Sequence, residues 1–227
     1  MGVITGTDIK KQNSEDVQLI LASASPRRLA LLAQIGLDPH QVCATNIDET
    51  PKLREHPANL ARRLAKEKAM KAKENLLVYN QKTQNDFSKK KIVILAADTV
   101  VAVERVILPK PEEKNEAYEC LRYLSGRAHK VYGAICAINE KGKKTIKLVE
   151  SRVRFRRLTS KMREAYLDSG EWKGKAGGYA IQGKAGAFVS HIAGSYSNVV
   201  GLPLAETVDM LTAYNYPIFS TWITESQ

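Results

Sequence analysis

Apolar positions along the 227-residue chain switch between two spacings. Short apolar runs predict buried strands at 19–22 (LILA) and 92–103 (IVILAADTVVAV), the latter with a hairpin partner at 105–110 (RVILPK). Further strands are expected at 130–139 (KVYGAICAIN) and 145–155 (TIKLVESRVRF). Between them the spacing turns helical. Ser25, Pro26 and Gly36 suit the N-cap, N1 and C′ positions of a first helix, with Leu29, Leu32, Ala33 and Gly36 on one face. A second helix, 58–77, carries the stripe Leu60, Leu64, Lys68 and Ala72. Pro111 opens a third, with Ala117, Cys120, Leu121 and Leu124 inward and Gly126 closing it. Another spans 160–170, a glycine-rich stretch follows at 174–188, and a last helix starts near Pro203. Strands and helices interleave without a strict βαβ rhythm, so the expectation is an α/β fold, a mixed sheet flanked by helices. The polar, lysine-rich 78–91 segment could fill no core and reads as a surface loop.

Length corresponds to one large domain or two tightly joined lobes. Three cysteines, Cys43, Cys120 and Cys136, cannot all pair and include no C-x-x-C, which points to buried thiols in a reducing compartment. The first eighteen residues contain no apolar secretory core, and Gly6 stands where a myristoylation signal needs Ser or Thr. The most apolar run is too short for a bilayer and contains Asp98. A cytoplasmic protein with no membrane partner is therefore expected. Lys and Arg outnumber Asp and Glu by 35 to 24, a net +11. That surplus suits an anionic partner such as nucleic acid, acidic lipid or a phosphorylated small molecule, or else only a solvated basic surface.

The segment LASASPRR carries the sharpest local signal. A strand delivers the chain to a helix N-terminus, where unpaired N–H groups and the positive dipole end favour an anion. Ser23 and Ser25 add hydroxyls, while Arg27 and Arg28 add planar forks suited to phosphate oxygens. The plainer reading is a capped helix with two solvated arginines. Asp98, set in an apolar run, needs a partner if buried. It either caps a bulge or faces a cleft, where it could hold a divalent metal or act as a general base. Glu49, Lys68 and Lys110 also sit beside apolar, ordered sequence, and two carboxylates with two lysines match the needs of a metal-bound polyphosphate. Three other chemistries are excluded. The run Gly178 to Ala185 ends in Ala where a P-loop needs Ser or Thr; the four histidines show no zinc spacing; and no G-x-S-x-G elbow is present.

LASASPRRLALLAQIGL, AADTVV with ILPKP, and GYAIQGKAGAFVSHIAGSYSNVVGLPLAET together resemble the Maf family of nucleotide pyrophosphatases. The likeness covers 19–214, leaving 1–18 as an N-terminal extension and 215–227 as a C-terminal tail. It implies a Maf/ITPase-like mixed α/β fold with an elongated sheet, two lobes and a deep cleft. It also implies a metal-dependent hydrolysis of a nucleoside triphosphate to the monophosphate and pyrophosphate. The family's phosphate-binding serine and arginines fall on Ser23, Arg27 and Arg28, its acidic metal residue on Glu49, its lysines on Lys68 and Lys110, and its catalytic, metal-binding aspartate on Asp98. The dTTP/UTP branch is matched through Arg27, Thr99 and Gln182, where the 7-methyl-GTP branch has tryptophan, glutamine and glutamate. Asn46 departs from the glycine expected before the acidic pair. The resemblance therefore implies a pyrimidine triphosphate substrate, modified ones included, and Mg²⁺, Mn²⁺ or Co²⁺ as cofactor. It leaves room for a homodimer and for a septum-formation or cell-division partner. No stable nucleic-acid complex is expected. The rival reading, a basic nucleic-acid-binding module, has the charge but lacks basic-aromatic interleaving, aromatics being 7%.

Overall fold

The computed structural model describes residues 17–83 and 91–224; the expectations for 1–16, for 84–90 and for 225–227 lie outside these residues. Strands β1 (Gln18–Ala22), β2 (Gln41–Val42), β3 (Ile92–Val103), β4 (Val106–Leu108), β5 (Ala128–Asn139), β6 (Lys144–Phe155) and β7 (Val189–Ala193) form one sheet. Its order is β2-β1-β3-β5-β6-β7, with β4 also paired to β3. β1 runs parallel to β2 and β3, and the other pairs are antiparallel. This is the mixed α/β sheet that the alternation of patterns predicts.

The long strand β3 divides the core because its residues alternate between two buried faces. Ile92, Ile94, Ala96, Val100 and Ala102 pack with Ile20, Leu60, Leu64 and Tyr132 under α2 (Pro57–Thr83). Val93, Leu95, Ala97, Val101 and Val103 pack on the other side with Leu21, Leu32, Leu121 and Ile135. That second side is closed by α1 (Pro26–Gln34), α3 (Lys114–Leu124), α4 (Ser160–Asp168), α5 (Tyr196–Val200), α6 (Leu204–Thr212) and α7 (Ile218–Thr224). Each fully buried leucine on these faces contributes about 1.5–3 kcal/mol.

Several local expectations change. In α1 the buried pair is Leu31 and Leu32, while Ala33 is exposed, because the helix turns the face of Arg28, Leu31, Leu32 and Ile35 inward, rotated from the expected stripe. Gly36 does take the left-handed C′ position, at φ 67°. α2 buries Leu60, Leu64, Lys68 and Ala72 as expected, but continues through Thr83. No glycine or proline between Val78 and Thr83 interrupts its hydrogen-bond ladder, so part of the expected loop is helix. α3 begins at Lys114, not at Pro111, because Glu113 and Glu116 form a capping box there. β2, β7, α5 and α7 have no counterpart among the sequence expectations.

One discontinuity positions everything that follows. β1 pairs with β3 only as far as Ala22 opposite Ala96, and β4 begins pairing at Val101 opposite Leu108. Among the described residues, no strand pairs with residues 97–100 on that edge. β1 runs toward this gap and ends there; β4, antiparallel, returns toward it from the other side and continues into Pro109 and Lys110. Two chain segments thus emerge facing each other across Asp98 and Thr99.

The α1 side of the sheet also holds a buried histidine. His129 is 2% exposed, with Nε2 2.8 Å from Tyr179 Oη and its ring edge-on to Phe155. Burial holds its pKa down at about 4, against 6.5 in the unfolded chain. Since the unfolded state takes up the proton first, this stability is complete above pH 6.5 and is lost as pH falls toward 4, by about 3 kcal/mol. Replacing His129 by Gln, which cannot titrate, removes that part of the acid decline. Urea unfolding of both proteins across this range checks it, and equal slopes would place the acid sensitivity elsewhere.

Candidate active site

Ser23 follows the last residue of β1, and Ser25 takes the N-cap position of α1 with extended backbone, φ −77° and ψ 114°, and without a side-chain cap bond. Pro26 at N1 fixes the entry, so Arg27 and Arg28 leave the first turn of α1 at the gap. Ser23 is buried, and its Oγ accepts from Ser25 N at 3.2 Å and from Arg28 Nη1 at 2.9 Å. Its hydroxyl hydrogen remains available to a ligand oxygen. Arg28 is held at two further points: Nε donates to Gly201 O at 2.9 Å, and Nη2 reaches Thr99 Oγ1 at 3.4 Å. Burial pulls the Arg28 guanidinium below its ordinary value, while the fields of Asp98 and Glu49 push it back up. Arg27 is lowered by burial and by the adjacent charge of Arg28. Both remain cations at neutral pH.

Across the gap lies a chain of ion pairs. Asp98 is 1% exposed on the α2 face of β3, and its Oδ1 accepts from Lys68 Nζ at 2.6 Å. Lys68, four residues along the stripe from Leu64, is itself 6% exposed. Its ammonium also lies 2.5 Å from Glu49 Oε1, and Glu49 Oε2 accepts from Lys110 Nζ. Burial alone would raise the Glu49 carboxyl, but its hydrogen bonds from Lys110 and Lys68 bring it down to about 2. Glu49 is therefore ionised throughout the neutral range. Asp98 Oδ2 has no hydrogen-bond partner among the described residues, and Asp98 lines a recess.

Two recesses meet here. One, of about 120 Å³, is lined by Ser25, Arg27, Arg28, Tyr179 and the Val199–Gly201 segment. The other, of about 420 Å³, is lined by Glu49, Asp98, Leu60, Leu64 and Pro109. They share Thr99, Lys110 and Ala176. Arg27, Arg28, Lys68 and Lys110 set four cations against the carboxylates of Glu49 and Asp98. A surplus of positive charge in a partly desolvated groove attracts a polyanion.

The sequence-expected residues Ser23, Arg27, Arg28, Glu49, Lys68, Asp98, Thr99 and Lys110 thus converge. Gln182 does not join them: it is exposed and lines neither recess. Its turn is pinned from the side by Glu171, which accepts from Lys184 N at 2.8 Å and from Lys184 Nζ at 2.7 Å. Sequence reasoning assigned no role to Tyr179 or to the Gly201 carbonyl. The first lies in the glycine-rich stretch and the second just after GSYSNVV, so both signals were segments and not individual residues.

A divalent cation was expected on Glu49 and Asp98. No group of three or more His, Cys, Asp or Glu side chains among the described residues forms a self-sufficient metal cage. Two carboxylates sharing one ammonium do fit a hard cation that completes its shell with phosphate oxygens and water, the usual arrangement for Mg²⁺.

The family model for Maf, described as Maf-like protein, matches residues 18–214. A relative from Bartonella quintana (strain Toulouse), named dTTP/UTP pyrophosphatase, is 76% identical over 226 residues and covers 100% of each chain. One of the same name from Brucella abortus (strain 2308) is 53% identical over 205 residues, covering 90% of this chain and 95% of its own. Among solved structures, a HAM1 protein from Coxiella burnetii is similar over 87% of this chain and 99% of its own, at 16% identity and a TM-score of 0.42. With nearly its whole described length matched by the family model, this chain belongs to the Maf family.

Proposed function

We propose that this protein is a pyrophosphatase that hydrolyses dTTP and UTP, modified pyrimidine triphosphates included, to the monophosphate and pyrophosphate. The observation that carries this reading is the buried Asp98, held by Lys68 within a groove whose opposite wall is the Ser23–Arg28 turn. The names of the similar proteins support the same substrates.

The chemistry follows from charge. A triphosphate resists attack by water because its oxygens are negative and the leaving group takes on more charge. Arg27, Arg28, Lys68 and Lys110 neutralise those oxygens, and the Ser23 hydroxyl donates to one of them. Asp98 orients a water through its free Oδ2 and takes its proton, while Lys68 keeps the other oxygen fixed. The water oxygen bonds to the α-phosphorus, the bond to the bridging α–β oxygen breaks, and pyrophosphate leaves. No covalent intermediate is required. Glu49 and Asp98 would hold Mg²⁺, Mn²⁺ or Co²⁺, which when bound supplies charge neutralisation and acidifies a coordinated water. Thr99, at the junction of the recesses, would donate and accept at a pyrimidine edge. No helix among the described residues is long and apolar enough to cross a membrane; we place the reaction in the cytoplasm with its substrates.

Asp98→Asn should fold, since Glu49 still neutralises Lys68, yet release pyrophosphate from dTTP at least about 100-fold more slowly. Native turnover in that variant would remove Asp98 from the mechanism. Chelation should stop the native enzyme and added Mg²⁺, Mn²⁺ or Co²⁺ restore it; full activity in chelator would eliminate the cation. Gln182→Ala should leave turnover of dTTP, UTP and GTP within about twofold in a nucleotide panel, because the side chain lies outside both recesses. A selective loss for dTTP and UTP would show that its turn reaches the base.

A further inference from the structure

Gly133 on β5 stands opposite Thr99 on β3, and Val149 of β6 stands opposite Gly133 on the far side. A Cβ at Gly133 would fall 1.8 Å from Asn198 Oδ1. Glycine is required there because Asn198 occupies the space a side chain would take. Asn198 is 0% exposed, a polar side chain pushed from α5 against the sheet. Its Nδ2 group is shared among Val131 O and Val149 O, each at 3.3 Å, and Ser151 Oγ at 3.0 Å. Ser151 Oγ in turn accepts from Ser195 N at 3.0 Å and donates to Ser195 O at 3.1 Å. Ser195 Oγ caps α5 by accepting from Asn198 N at 3.1 Å.

A five-residue helix has little stability of its own. α5 keeps its position through this network to β5 and β6, and its end faces the groove. There Gly201, at φ 144° where other residues are strained, turns its carbonyl to Arg28 Nε. The other two supports of Arg28 are the hydroxyls of Ser23 and Thr99, which rotate; the Gly201 carbonyl is the rigid one. An arginine side chain has many rotamers to choose among, so a fixed acceptor decides where its fork points.

We infer that Asn198 is a positioning residue for Arg28: with Gly133 it latches α5 to the sheet and so places the Gly201 carbonyl that aims the guanidinium at the substrate's phosphates. The inference rests on reading Arg28 as a phosphate-binding group. Neither Asn198 nor Gly133 lines either recess, and both act only through α5.

The test compares Asn198→Ala, Arg28→Ala and the double variant, measuring pyrophosphate release from dTTP beside the thermal midpoint. Asn198→Ala should lower kcat/KM by about 100-fold, the scale of a 1 Å misplacement. In the Arg28→Ala background the same change should cost no more than about twofold. The midpoint should fall by the same amount in both backgrounds, because lost packing does not depend on Arg28. A purely structural role predicts losses of activity that multiply, and that result would overturn the latch. Gly133→Ala, which displaces Asn198 and deletes nothing, is the second variant and should show the same dependence on Arg28. Native kcat/KM in folded Gly133→Ala would overturn the inference equally. If Arg28→Ala alone keeps full turnover, the phosphate reading of Arg28 falls and the latch with it. If Arg28→Ala is slow while Asn198→Ala still adds its loss, only the latch falls.

Discussion

A carboxylate buried at 1% exposure on a strand packed on both faces needs a positive charge beside it to offset its lost hydration. Asp98 meets Lys68, and much of the site follows from that contact. Lys68 can reach Asp98 because the apolar stripe of α2 seats its stem among Leu64, Ala65 and Ala69 in the core under the sheet. Deleting Lys68 would cost several kcal/mol, since the Asp98 charge would stay buried without its partner, whereas Lys68 keeps Glu49 when Asp98 is replaced. α2, β3 and the loop carrying Glu49 are thereby locked in one arrangement, and Glu49 passes the link on to Lys110 beyond β4. A network that settles where α2 lies also settles where an anion can bind.

The break in the sheet gives this network an opening. Had β1 and β4 been one continuous strand, Asp98 and Thr99 would be sealed on that edge by ladder hydrogen bonds. Because the edge is supplied by two strands that both stop short, their outgoing ends bring Ser23 and Lys110 to the same place. Arg28 then spans the gap to Thr99, tying the first helix to the central strand. Groups 75 residues apart in sequence, Ser23 and Asp98, become neighbours through strand register.

What could be read from the sequence follows from how local each cause is. A charged residue within an apolar pattern is a local anomaly, so Asp98 in its strand and Lys68 in its stripe were visible, as were the serine–proline helix start and most strands. Glu49 and Lys110 stood out by their ordered, apolar neighbours and by the family resemblance, but their contact with each other needed coordinates. α5 was not visible at all: five residues give no period, and its anchors lie on β5 and β6, some fifty to seventy residues away. A glycine inside a strand is compatible with a close approach, but nothing near Gly133 in the sequence says that Asn198 fills the space beside it. Ala33 and the end of α2 were misread for a simpler reason, that spacing does not say which of two adjacent helix faces turns inward or how long a ladder the sheet will accept. The exposed position of Gln182 is likewise a tertiary fact, set by the Glu171 contacts to Lys184.

The alternation of β3 has a last consequence. Asp98 and Thr99 are adjacent in sequence but lie on opposite faces of the strand, one toward α2 and the carboxylate–lysine chain, the other toward Arg28 and α5. In a closed sheet those two environments would be separated by the backbone ladder. At an open edge they are separated by one peptide unit, and Thr99 lines both recesses. A group bound across the gap can therefore be gripped on one face while it is attacked from the other. The positioning of chemistry against recognition then depends on the straightness of a single strand, pinned on its far edge by β5, where Gly133 stands opposite Thr99.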